Sequence, residues 1–264
     1  MTILDERPLG PTDRVLGAPD AELGTMSFFE HLAELRNRLL ISMGAVVVMA
    51  IATWFLYNHL IHFMEEPYCN FIRQHPSKSL SGCRLVTNGP LEGFSTRLKI
   101  CAYGGIALAT PVWSWEFWRF VTPGLYKNEK RYVVPFVGSA VVLFTMGVSV
   151  AILVFPRALQ WLIDVSGTGV VPLFSPSNYF NLYALMCLIF GLVFTYPLVL
   201  VFLEIAGVVP SATWRRRRRI AIVVICAVAA VITPSSDPFS FTAMAVPMLV
   251  FYEGAIVVGR ALHK

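Results

Sequence analysis

Charge is what this sequence has least of. Of its 264 residues, 14% are Asp, Glu, Lys or Arg, while 56% are hydrophobic. A soluble domain carries about 25% charged residues, so an ordinary water-facing surface is excluded and the chain reads as an integral membrane protein. The usual motifs of chemistry are missing too. There is no Walker loop, HExxH, CxxC pair or GxSxG elbow, which removes the common nucleotide, zinc, redox and serine-hydrolase signatures. The five histidines (His31, His59, His62, His75, His263) are scattered. Only His59 and His62 have a spacing that two metal ligands would use, and at the end of an apolar run an interfacial role suits them better. No cofactor, no metal and no enzymatic activity are expected. Residues 1–25 have no apolar core followed by a small-residue cleavage pattern, so no secretory signal is expected there. They read as a flexible cytoplasmic tail ahead of a membrane domain over 26–264.

What the chain has is apolar runs. A spanning helix needs about 20 largely apolar residues, because its backbone must satisfy its own hydrogen bonds in hydrocarbon. Six segments qualify as candidates: Leu39–Ile61, Ile100–Phe120, Val133–Phe155, Tyr179–Val209, Ile220–Thr233 and Phe239–Leu262. Pro197 is expected to kink the fourth, and the fifth is short for an ordinary bilayer. The fold class predicted is an all-α bundle of six transmembrane helices. Two long loops, about Ile61–Lys99 and Pro156–Asn178, should cap it on one side and make it concave.

The basic residues orient the bundle. With the N-terminus in the cytoplasm, thirteen Lys and Arg fall on cytoplasmic flanks and six on the outer side, with two more in the tail. Both termini are therefore predicted to be cytoplasmic. The net charge of +5 follows from that asymmetry and calls for no nucleic-acid partner. WRRRRRI (214–220) could resemble a nucleic-acid patch, but it reads far better as a stop-transfer anchor. Cys69 and Cys83, with thirteen residues between them in the first outer loop, would contribute about 3 kcal/mol if oxidised to a disulfide. Two unpaired thiols are the alternative. Cys101, Cys187 and Cys226 fall inside spans as small apolar fillers.

Carboxylates stand out against this background. Phe28, Leu32, Leu35 and Leu39 share one helical face, with Glu30, Glu34 and Arg38 on another. That pattern describes an amphipathic lead-in lying on the membrane before the first span. Glu34 and Arg38 have the i,i+4 spacing of a surface pair worth about 0.3–0.5 kcal/mol. Glu129 sits among Lys127, Lys130 and Arg131, where local charge balance is the plain reading. Glu116, Glu204, Glu253 and Asp237 lie in or at the edge of spans, where ionisable groups usually face a bundle interior or a wet cavity.

Four stretches resemble a known family, the TatC subunit of the twin-arginine protein translocase. HLAELRNRL (31–39) is similar to its N-terminal signature and TPVWSWEFWRFVTPGLYKNEKR (110–131) to its first cytoplasmic loop. FGLVFTYPLVLVFLEIAGVV (190–209) is similar to its fourth span, and ITPSSDPFSFTAMAVPMLVFYE (232–253) to its last hairpin. The resemblance runs from Ser27 to Arg260. It implies a receptor in the bacterial cytoplasmic membrane that binds signal peptides bearing two consecutive arginines. Such a receptor nucleates assembly with small single-span TatA- and TatB-type partners, leaves self-association open, and drives export by the proton-motive force. Carried over residue by residue, it assigns peptide binding to Glu34 and Glu129. Phe120 would pack on the apolar residue after the arginines, and Arg36, Lys127 and Arg131 would tune the site. Pro67 would mark a bend, and Thr195, Asp237 and Glu253 are intramembrane polar positions. At 195 many relatives carry Glu or Gln, whereas a threonine hydroxyl satisfies itself on its own helix. Two other readings stand beside this one: a six-span proton-coupled solute transporter using Glu116, Glu204 and Glu253, and a passive membrane scaffold.

Overall fold

The computed structural model describes residues 28–74, 85, 89–121, 133–167, 175–205, 217–235 and 237–262, and among them every regular element is an α-helix. In chain order these are α1 (Phe28–Gln74), α2 (Glu92–Leu108), α3 (Thr110–Val121), α4 (Val133–Val165), α5 (Pro176–Phe194), α6 (Tyr196–Ile205), α7 (Arg218–Ile232) and α8 (Pro238–Leu262). Leu39, Leu40, Met43, Val47, Val48, Ile51 and Phe55 all lie exposed along α1. An apolar outward face of that size is what contact with lipid demands. The helices at 32–73, 134–165, 176–204 and 238–257 are long and apolar enough to cross a membrane. The chain is thus an integral membrane protein.

Where helices end differs from the sequence reading, for identifiable reasons. The lead-in and first span are one helix of 47 residues, not a surface segment followed by a turn, because no proline separates Phe28 from Leu56 and a single glycine, Gly44, is tolerated within a helix. The same helix runs on through Pro67, so this proline sits in a helix and not in a loop. Met64, Tyr68, Phe71 and Ile72 are buried, which gives the extension its own packed face. The Tyr179 hydroxyl donates to the Met64 carbonyl oxygen at 2.8 Å. Tyr68 and Phe155 each hold their rings 5.6 Å from that of Tyr179. Likewise α4 continues through Pro156 to Val165. Both expected cap loops are therefore partly helical, the first as far as Gln74 and the second as far as Val165.

Two spans are broken. The segment expected at 100–120 is α2 followed by α3, parted at Ala109. Pro111 has no N–H for the Ala107 carbonyl, and the Thr110 hydroxyl donates to that oxygen instead, at 2.6 Å. The kink expected at Pro197 appears as a break at Thr195, between α5 and α6. The α7 helix has 15 residues, about 23 Å at 1.5 Å per residue, against a hydrocarbon core of about 30 Å.

Close helix contacts rest on glycines. A Cβ on Gly147 of α4 would lie 2.9 Å from the Phe194 Cβ of α5, and one on Gly191 of α5 would lie 2.6 Å from the Phe144 ring of α4. Small residues let membrane helices approach backbone to backbone in this way.

Asp237 caps α8. It is 1% exposed, and its Oδ1 accepts the Ser240 backbone N–H at 2.7 Å while the Ser235 hydroxyl donates to Oδ2. Asp237→Ala removes the cap and orphans a buried hydroxyl, so unfolding of the detergent-solubilised protein should lose about 2 kcal/mol. Asp237→Asn, which keeps an acceptor and gains a donor, should lose less than half of that. Equal losses would show that the cap is not what Asp237 supplies.

Candidate functional site

The carboxylate at the head of α1 is held by a divided guanidinium. Glu34 and Arg38 stand one turn apart on α1. Nε and Nη2 of Arg38 both donate to Oε1 of Glu34, the former at 2.9 Å. The remaining arm crosses to another helix: Nη1 donates to Oε2 of Glu116 on α3 at 3.0 Å. Glu34 and Arg38 side chains are half-buried, and that of Glu116 is 10% exposed. Oε2 of Glu34 is shut away from solvent and has no hydrogen-bond partner among the described residues. A carboxylate oxygen in that position is an acceptor waiting for a donor.

The α3 helix fixes Glu116 because its other side is anchored. Trp118 is buried, stacked on Phe136 of α4 at 3.8 Å between ring centroids and edge-on to Phe202 of α6 at 5.2 Å. Two residues away along a helix lies the opposite side, so Glu116 turns toward α1. Phe120, four residues after Glu116, shares its face of α3 and is half-buried. The structure thus gathers Glu34 and Arg38 of α1 with Glu116 of α3, one turn from Phe120. Arg36 is exposed. Glu129, Lys127 and Arg131 lie outside the described residues.

The other candidates are dispersed. Cys69 is in a disulfide, while Cys83 lies outside the described residues; Cys101, Cys187 and Cys226 are free thiols. The Thr195 hydroxyl donates to the Leu192 carbonyl of its own helix at 2.7 Å. Glu253 pairs with Arg218 across α8 and α7 at an exposed position. Glu204 is 2% exposed, enclosed beside Leu200, Tyr252, Ala255 and Ile256, with no partner for its Oε1 among the described residues. Glu116, Glu204 and Glu253, the trio a proton relay would use, therefore have three separate settings. Among the described residues no group of three His, Cys, Asp or Glu side chains is arranged to hold a metal ion.

The Arg38–Glu116 bridge is what sequence reasoning missed. One signal was present: an acidic residue amid the apolar and aromatic residues of TPVWSWEFWRF needs a cation. Which cation, 78 residues away, no local spacing specifies.

A family model described as Sec-independent protein translocase protein (TatC) matches residues 30–247. The chain belongs to the TatC family. Among curated relatives, a TatC of Frankia casuarinae is 36% identical, covering 89% of this chain and 65% of its own length. One of Corynebacterium kroppenstedtii is 36% identical, covering 90% and 62%. One of Koribacter versatilis is 34% identical, covering 90% and 86%. The chain thus spans just under two thirds of the length of the first two relatives. Two crystal structures of a twin-arginine translocase receptor TatC are similar in fold. One has TM-score 0.71 and 30% identity, covering 89% of this chain and 100% of that one. The second, determined in the detergent DDM, has TM-score 0.72 and 31% identity, covering 87% and 99%. In this TatC family member the motif HLAELRNRL is the first part of α1 and carries both Glu34 and Arg38.

Proposed function

We propose that the chain is the receptor of a twin-arginine translocase, binding the arginine pair of a signal peptide at the cytoplasmic rim of the membrane. One observation carries this reading: a half-buried Glu34 carboxylate at the head of a membrane helix, with one oxygen enclosed and lacking a donor among the described residues. A peptide guanidinium, planar and always protonated, matches such a carboxylate as a fork. Glu129 is proposed as the second carboxylate, with Phe120 packing on the apolar residue that follows the arginines. Arg36, Lys127 and Arg131 would reject peptides lacking the motif. The family membership and the charge asymmetry support six crossings, α2–α3 and α5–α6 each making one, with both termini in the cytoplasm of a bacterium. The peptide's apolar segment would then follow the bundle surface within the bilayer. TatA- and TatB-type single-span subunits would complete the translocase, powered by the proton-motive force.

The test is binding of a labelled signal peptide to the purified protein. Replacing Arg-Arg by Lys-Lys keeps the charge and loses the fork, so affinity should fall at least about tenfold, one charge-assisted hydrogen bond's worth. The gap should persist at high salt, which screens diffuse attraction but not a desolvated fork. Equal affinities for the two peptides would end the receptor reading. Solute flux by the purified chain alone in liposomes would favour a transporter instead.

A further inference from the structure

We propose that Arg38 is an internal stand-in for the peptide's arginine, and that Glu116 is where Arg38 is kept when the peptide takes Glu34. The inference rests on the receptor reading and adds to it a competitor built into the site.

The geometry leads there directly. Arg38 spends two of its donors on a single oxygen of Glu34 and the third on Glu116. A fork-to-fork pair with an incoming guanidinium needs both Glu34 oxygens. One of these is occupied by Arg38, and the other is enclosed. Something must therefore move before a peptide can engage Glu34 fully, and the group of matching charge and shape is Arg38. It need not go into lipid, because Glu116 already holds one of its arms. Swinging the guanidinium wholly onto Glu116 leaves two carboxylates and two guanidiniums in two pairs, with no charge stranded.

Such an exchange sets how tightly any ligand must bind to be held. An incoming arginine offers Glu34 the same fork that Arg38 withdraws, whereas a lysine offers a point charge and cannot match it. The internal arginine thus lowers the affinity of both ligands by one factor, and the weaker, lysine-bearing one is the first to fall out of the working range. If Glu34 is free of Arg38 in about a tenth of molecules, apparent affinity is about tenfold below intrinsic affinity.

The experiment measures affinity for Arg-Arg and Lys-Lys peptides on full-length wild type, Arg38→Gln, Glu116→Gln and the double variant, each checked for thermal midpoint. Arg38→Gln should tighten Arg-Arg binding by about tenfold and Lys-Lys binding by the same factor, leaving the preference between them unchanged, since the free fraction of Glu34 scales both affinities alike. Glu116→Gln should weaken Arg-Arg binding several-fold, because Arg38 then has only Glu34, and that loss should vanish in the double variant. Such non-additivity is the mark of two residues acting on one event. If Arg38→Gln is not recovered folded, Arg38→Lys, which keeps the charge and loses the fork, should tighten binding of both peptides by a smaller factor. Unchanged or weaker Arg-Arg binding in a folded Arg38 variant overturns the exchange, as does an equal Glu116→Gln loss with and without Arg38. Wild type that does not distinguish the two peptides sinks the receptor reading instead.

Discussion

Glu34→Ala should abolish crosslinking to a twin-arginine precursor while leaving the amount of protein in the membrane unchanged. Removing one partner of a buried charge pair at an interface costs about 2–5 kcal/mol, roughly thirtyfold to several thousandfold in affinity. That is enough to push binding beyond detection in a crosslinking experiment. The second half of the expectation comes from the structure. Arg38 keeps its hydrogen bond to Glu116 when Glu34 is gone, so the substitution strands no cation and the α1–α3 bridge survives. The thermal midpoint should shift little, separating loss of recognition from loss of fold. Glu129→Ala should behave alike, on the strength of the family resemblance at YKNEKR. Unchanged crosslinking in both variants would remove the two-carboxylate site.

Gly147→Val should have the largest effect on folding. Its first added atom would fall 2.8 Å from the Phe190 carbonyl carbon and 2.9 Å from the Phe194 Cβ. The nearest obstacle is therefore helix backbone, which cannot rotate aside as a ring can. The two helices must separate, and the Phe155–Tyr183 contact, 4.3 Å between ring centroids, loosens with them. Overpacking of this kind costs about 1–3 kcal/mol, occasionally more; with backbone on one side of the clash the upper end is expected. The measurement is yield and thermal midpoint in detergent, with Gly138→Val as the comparison. A Cβ at Gly138, on the same helix, would meet nothing within 4 Å. Similar midpoints for the two variants would show that the α4–α5 contact does not depend on the missing side chain.

The membrane helices were legible because hydrocarbon permits so little else. Runs such as LISMGAVVVMAIATWFL leave a helix as the only spanning backbone. Their ends were not legible, because a helix that packs against protein need not stop where the lipid does. Glu65, Glu66 and Pro67 looked like the start of a loop, yet Met64, Tyr68, Phe71 and Ile72 form a buried face on the same helix. The Thr110–Pro111 break was hidden for the opposite reason. Its orphaned carbonyl is repaired by a hydroxyl next door, and composition does not report such a repair. At the site, Glu34 was recognisable as a carboxylate with no structural need to be there, and Arg38 as its i,i+4 neighbour. Glu116 was seen only as an ionisable group at the edge of a span. That both acids share one arginine depends on how α3 is turned, which Trp118 and its aromatic partners decide.

At 47 residues, α1 is about 70 Å long at 1.5 Å per residue, well over the 40–45 Å of a complete bilayer. Glu34 is near one tip of this rod, and Tyr68 and Cys69 are near the other. A stiff lever of that length has no independent ends. Under the docking proposed at Glu34, a sideways push there would be passed along one continuous helix to Tyr68 and Cys69.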